Sequence, residues 1–232
     1  GGAPYKASIS PMRWGQPIDE PVELPDGTLL MAVQGMRRAR TYMVDEEPTR
    51  CFLIRSDNRG IDWEHWSTIA YDPAGIISFG EPALGRTADG TLICMMRTMH
   101  APRHRHQNMW FAYSTNDGES WSRPEPTKLW GYPADFTLLK DGRMLCTYGH
   151  RREPWGVWGC ISEDGLHWDP ANEFVIREGG IAPKDKVPHL YWHIGYPTTI
   201  QLHDGTLLTV DHQWTQEEPF VQYVVGVLWE LP

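Results

Sequence analysis

Four Asp-Gly turns, each set between two apolar runs, constrain this chain more than any other feature. They read LPDGTLL at 24–30, TADGTLI at 87–93, LKDGRML at 139–145 and LHDGTLL at 202–208. Asp-Gly between strand-forming residues is a strong hairpin signal, because both turn positions favour positive φ. The turn glycines 27, 90, 142 and 205 are spaced by 63, 52 and 63 residues. Periods of this size, with only strand-like segments between, predict the blades of a β-propeller.

A second motif falls between the turns: SDNRGIDW at 56–63, STNDGESW at 114–121 and ISEDGLHW at 161–168. Gly60, Gly118 and Gly165 are each followed three residues later by Trp63, Trp121 or Trp168. The expected physics is a tight hairpin. Ser and Asx side chains cap backbone N–H groups, Gly adopts a φ other residues avoid, and Trp folds back under the turn. These segments resemble Asp-boxes, Ser-x-Asp-x-Gly-x-x-Trp. Asn58 and Asn116 stand in the usual Asp position, and the third copy is one residue short.

The expected architecture is all-β, a single propeller domain over 1–232 with four-stranded antiparallel blades at roughly 17–75, 76–130, 131–180 and 190–232. The fourth blade has no Asp-box. Four blades are fewer than Asp-box propellers normally have, so the chain is expected to lack one or two N-terminal blades of a six-bladed wheel. The alternative is a compact four-bladed propeller. Pro- and Gly-rich stretches such as 72–80 and 177–189 read as connections between elements.

Composition narrows the partners. The formal charge of -9 argues against nucleic acid or an anionic membrane as the main partner. No apolar run approaches the roughly 20 residues of a membrane span. With 41% hydrophobic residues and twelve Trp, the chain can bury a substantial core. Cys51, Cys94, Cys146 and Cys160 form no CxxC pair and read as small buried strand residues.

The repeat also acts as a ruler for chemistry. Nine residues before the turn Gly, where an inner strand begins, stand Glu81 in blade two and Tyr196 in blade four. Blades one and three have Ile18 and Pro133 there, with Asp19 and Asp135 close by. Seven residues after the turn Gly stand Arg97 and His212, and blade three has Arg151 and Arg152 just beyond. These side chains are expected at one rim of the propeller. A carboxylate beside a tyrosine can act as its base, and arginines bind a carboxylate bidentately. The plainer reading is ordinary strand-start residues and a structural ion pair. His100, His104 and His106 suggest a metal cluster, but charged rim histidines are the commoner arrangement, so no metal or cofactor is expected. Trp130, Trp155, Trp192 and Trp214 lie near strand ends, with core packing as the default and sugar stacking as the alternative.

On these residues the chain resembles the sialidase superfamily, bacterial sialidase-like proteins with Asp-box (BNR) repeats. GEPALGRTADGTLICMMRT is similar to the segment carrying the activating Glu and an Arg of the arginine triad, which implies those roles for Glu81 and Arg97. GYPTTIQLHDGTLLTV is similar to the segment of the nucleophilic Tyr, implying Tyr196. GHRREPWGVWGCISEDGLHW is similar to the segment of the third Arg, implying Arg151 or Arg152. The resemblance implies an exo-glycosidase that releases sialic acid or a related acidic sugar. A tyrosine nucleophile suits that substrate, because a carboxylate nucleophile would be repelled by the sugar's own carboxylate. Two features depart from the pattern. No Arg-Ile-Pro motif appears, its place being Ile18-Asp19-Glu20-Pro21, and Asp45 is the weak match for the acid/base Asp. A different sugar, or a non-catalytic propeller that binds glycan or protein, are the alternatives.

Overall fold

The structure is a computed structural model, which describes residues 6–37, 48–100, 105–186 and 193–232. It divides into two compact units, 1–127 and 128–232. Each contains two mainly antiparallel sheets, the blades of the propeller fold.

In the first unit, one sheet contains β1 (Lys6–Ser8), β2 (Trp14–Pro17), β3 (Val22–Glu23), β4 (Leu29–Met36), β5 (Arg50–Ser56) and β6 (Asp62–Ala70). Here β2 and β3 both pair with β4, so the inner strand is split. Pro17 ends β2 and Pro21 stands in the break before β3, and neither can donate to the ladder. The outermost strand, β1, runs parallel to β6, a pairing the repeat does not predict. The second sheet contains β7 (Ile77–Arg86), β8 (Leu92–His100), β9 (Arg105–His106), β10 (Trp110–Ser114) and β11 (Glu125–Pro126). The apolar positions of these sheets meet in one core that includes Leu30, Leu53, Leu84, Leu92, Cys94 and Met96. Burying each Leu or Met there stabilises the fold by about 1.5–3 kcal/mol.

In the second unit, β12 (Ala134–Leu138), β13 (Met144–His150), β14 (Gly156–Ser162) and β15 (Glu173–Glu178) form a regular four-stranded blade. The last sheet has β16 (Gly195–Gln201), β17 (Leu207–Trp214) and β18 (Gln222–Trp229). It has three strands among the described residues rather than the expected four. Its packing on β12 and β13 is more polar than the first unit's core. Thr137 Oγ1 donates to the Thr199 carbonyl at 2.8 Å, and the hydroxyls of Thr147, Thr199 and Thr209 form a buried chain.

Both sequence motifs form, one with a correction. In the first Asp-box, Gly60 N donates to Ser56 Oγ at 2.9 Å, Asp62 N donates to Asn58 Oδ1 at 2.9 Å, and Trp63 Nε1 donates to the Gly60 carbonyl at 3.0 Å. The third box repeats this through Ser162, Asp164 and Trp168, and its missing residue costs none of the three contacts. In the second, Trp121 Nε1 instead donates to Ser67 Oγ at 3.1 Å on β6 of the neighbouring sheet. The Asp-Gly turns do not have positive φ at both positions. Only the glycines do, from +86° at Gly27 to +98° at Gly205. Gly27 N donates to the Leu24 carbonyl, Leu24 N to the Thr28 carbonyl and Thr28 N to Asp26 Oδ1. This is a longer loop in which Asp caps the turn and only Gly is left-handed. The four cysteines are buried strand thiols.

One contact recurs within each unit. Asp19 Oδ2 accepts the Leu84 N–H at 3.2 Å, and Asp135 Oδ2 accepts the Thr199 N–H at 2.9 Å. In both cases an aspartate after the inner-strand start of one blade holds the inner strand of the next.

Candidate functional site

Each unit has a β-bulge near the start of an inner strand. In β7, Gly80 lies opposite Arg97 and Ala83 opposite Met95, so one residue is extra. In β16, Gly195 lies opposite His212 and Thr198 opposite Val210, again with one residue extra. The extra residues fall around Glu81 and Tyr196. Both have left-handed backbone, with φ +42° and +54°. Neither residue type favours that region, and holding it costs about 1–3 kcal/mol. Bulges of this kind bend a strand and re-aim a side chain. The positions the ruler selects therefore share a strained geometry that ordinary strand starts do not need.

In the first unit, Arg97 Nη1 pairs with Glu81 Oε1 at 2.7 Å, with both side chains largely buried. Gln34 supports this pair from β4. Its Oε1 accepts the Glu81 N–H at 2.8 Å, while its Nε2 donates to Gln16 Oε1 at 3.2 Å. Glu81 and Arg97 open into a cavity of about 190 Å³ whose lining includes Trp14, Gln16, Gln34 and Thr49.

In the second unit, Tyr196 is 40% exposed and stacks on the His212 ring at 5.5 Å between centroids. The guanidinium carbon of Arg151 lies 5.3 Å from the Tyr196 ring centre. Arg151 itself is buried, and its Nε donates to the Ile194 carbonyl at 2.9 Å. Burial, and then the Arg151 charge, lower the pKa of His212 below its usual value, which favours the neutral imidazole.

The structure separates the two arginine candidates. Arg151 faces Tyr196, whereas Arg152 is exposed, lies over the Trp130 ring at 4.4 Å and donates to His150 Nε2 at 3.3 Å. Asp135 is buried at the blade junction, where it accepts from Thr199 N and, at 3.4 Å, from Thr147 Oγ1. Asp45, His104 and Trp192 lie outside the described residues. Among the described residues no three His, Cys, Asp or Glu side chains gather as metal ligands.

Counting from the turn missed three residues. Tyr132 is the first. The triplet Gly-x-Pro opens the inner strand in every blade, as Gly15-Gln16-Pro17, Gly80-Glu81-Pro82, Gly131-Tyr132-Pro133 and Gly195-Tyr196-Pro197. Blades one and three carry extra residues before the turn, so a fixed count lands on Ile18 and Pro133 instead. Aligning the triplets would have found Gln16 and Tyr132. The third is Arg177, which grips the fully buried Asp211 beside His212 with contacts of 2.6 and 3.2 Å.

A profile of the BNR repeat-like domain matches residues 9–209. The chain belongs to this family. No curated protein matches this BNR repeat-like chain. Among solved structures, a protein of unknown function from Dyadobacter fermentans DSM 18053 superimposes over 100% of the chain with a TM-score of 0.80 at 22% identity. An α-L-arabinanase of Penicillium chrysogenum complexed with arabinobiose covers 90% of it, with a TM-score of 0.64 and 17% identity. The GH93 α-L-arabinofuranosidase of Fusarium graminearum, also with arabinobiose, covers 91%, with a TM-score of 0.63 and 16% identity. The chain spans 60%, 61% and 62% of these three structures. At such identities the likeness establishes the propeller fold. No helix among the described residues is long and apolar enough to cross a membrane.

Proposed function

We propose that this protein is an exo-glycoside hydrolase of sialidase type, acting on a glycan that ends in an acidic sugar. The observation that carries the reading is the pair of matched bulges, which hold Glu81 and Tyr196 in left-handed backbone at equivalent places. Support also comes from the family membership and from the propeller glycosidases among the similar structures.

In this mechanism the Tyr196 phenolic oxygen attacks the anomeric carbon as the bond to the leaving oxygen breaks. A base takes the phenolic proton, the role the resemblance implies for Glu81, and a protonated acid group supplies one to the departing alcohol. Water then attacks the anomeric carbon while the conjugate base of the acid group takes its proton. The bond to the Tyr196 oxygen breaks, and the base returns the proton that restores the phenol. Arg151 supplies positive charge beside Tyr196 for the sugar carboxylate, and the resemblance implies the same role for Arg97. A second reading is a neutral pentose-containing glycan. It is favoured by the two arabinobiose-bound fungal enzymes, and by Gln16 rather than an arginine in the Gly-x-Pro triplet of blade one.

The test is release of fluorophore from an aryl sialoside and an aryl α-L-arabinofuranoside, by the protein and by Tyr196→Phe. The expected result is sialoside hydrolysis, reduced by on the order of 10³-fold or more in the variant. Cleavage of the arabinofuranoside alone transfers the reading to the neutral sugar. Undiminished hydrolysis by Tyr196→Phe removes Tyr196 as nucleophile.

A further inference from the structure

Arg151 is held between two tyrosines of the second unit. Its guanidinium carbon is 4.9 Å from the Tyr132 ring centre and 5.3 Å from that of Tyr196. Both tyrosines are the middle residue of a Gly-Tyr-Pro triplet, in consecutive blades. Their surroundings differ. Tyr132 is 4% exposed, its N–H donates to the Gly149 carbonyl at 2.9 Å, and the Trp130 ring meets its edge at 5.7 Å. Tyr196 is 40% exposed. One ring is thus fixed in the protein and the other is accessible, and the Arg151 guanidinium lies against both.

We propose that Tyr132 is a positioning residue for Tyr196 and acts through Arg151. A guanidinium is flat, and an aromatic face supports it in a way that a flexible aliphatic side chain does not. The Ile194 carbonyl fixes one edge of Arg151 by accepting from Nε, and the Tyr132 ring fixes one side. The charge is thereby kept against the Tyr196 ring, where it stabilises the phenolate that a nucleophilic tyrosine must form. This step rests on the reading of Tyr196 as nucleophile. Other charged and titratable groups here include His212, stacked on Tyr196, and the Arg177–Asp211 pair and His193, which act on His212. His212 favours the neutral form, whereas Arg151 places its charge over the Tyr196 ring. A buried aromatic with only a packing role would hold Arg151 no better than a leucine of similar bulk, and that difference can be measured.

The experiment follows tyrosinate absorbance against pH, taking the difference between each protein and its Tyr196→Phe counterpart so that Tyr196 alone is read. Tyr132→Leu is expected to raise the Tyr196 midpoint by about one pH unit, the size of effect an opposite charge within a few ångströms exerts. Tyr132→Phe, which keeps the ring and loses only the hydroxyl, is expected to keep the original midpoint. Arg151→Lys keeps the charge but loses the flat stack, and is expected to shift the midpoint upward as Tyr132→Leu does. It also serves where Tyr132→Leu does not fold, with thermal unfolding as the check on folding. An unchanged midpoint in folded Tyr132→Leu or in Arg151→Lys overturns the proposal, as does a shift in Tyr132→Phe equal to that in Tyr132→Leu. The titration stands apart from turnover. Should Tyr196→Phe hydrolyse sialosides at the full rate, the nucleophile assignment fails while the midpoints still decide whether Tyr132 controls Tyr196.

Discussion

Gly195 offers the sharpest test of the rim geometry, because two separate costs meet at one residue. Its φ is +96°, and a Cβ placed there would sit 2.8 Å from Gly149 Cα, a backbone atom of the adjoining blade. The reverse holds as well, since a Cβ on Gly149 would lie 2.9 Å from the Tyr132 carbonyl and 3.2 Å from Gly195 Cα. The blades touch here glycine to glycine, and neither partner has a flexible side chain that could move aside. In Gly195→Ala the left-handed backbone costs about 1–2 kcal/mol. Overpacking against a fixed backbone adds about 1–3 kcal/mol. Gly205 isolates the first cost: its φ is +98°, yet nothing lies within 4 Å of a Cβ built on it. Gly205→Ala should therefore lose only the conformational part. In a chain of this size about 1 kcal/mol lowers Tm by about 2–4 °C. By calorimetric unfolding, Gly205→Ala should melt roughly 2–8 °C below wild type, and Gly195→Ala should melt a further 2–12 °C lower. Equal losses in the two variants would show that the close approach of Gly149 and Gly195 is not a feature of the folded protein, and the bulge that presents Tyr196 would lose its explanation.

Two further outcomes follow from the aspartates that join neighbouring blades. Asp135→Ala should destabilise the protein by about 1–3 kcal/mol, because the buried Thr199 N–H loses its acceptor. Asp135→Asn should lose less, and urea unfolding that ranks the two equally would sink the assignment. Asp19 differs in that burial raises its pKa to about 6, against the hydrogen bonds from Glu20 and Leu84 that lower it. A folded pKa above the unfolded value means that the stability it contributes is full below about pH 4 and is lost as pH rises through about 6. Wild type should therefore gain about 1–2 kcal/mol relative to Asp19→Asn between pH 7 and pH 4, a figure reduced because Asp19 keeps some solvent contact. A stability difference between the two that does not change with pH would show that Asp19 is not held in this way.

What was readable in advance depended on how far apart the interacting residues lie in the chain. The Asp-boxes could be read because every contact that defines them, apart from that of Trp121, closes within seven residues. Glu81 and Arg97 were found together because a hairpin of fixed length joins them and the bulge between them does not disturb the count. The same count failed in blades one and three, where extra residues hid Gln16 and Tyr132. Asp135 accepts from a residue 64 positions away, and no local pattern announces a carboxylate that reaches the next blade's backbone. The choice between Arg151 and Arg152 was also beyond the sequence. Adjacent residues at the end of a strand point to opposite sides, and only the folded chain shows which side Tyr196 is on.

The two aspartate contacts span 65 and 64 residues, and each runs from the first blade of a unit to the second. At the corresponding position of the receiving blades stand Leu84 and Thr199, which have no carboxylate to pass on. Giver and receiver alternate, so these contacts recur with every second blade and not with the single blade that the turns advertise. A gene duplication, a deletion or an engineered graft that respects pairs of blades keeps every carboxylate with the amide it serves. One that moves a single blade orphans both.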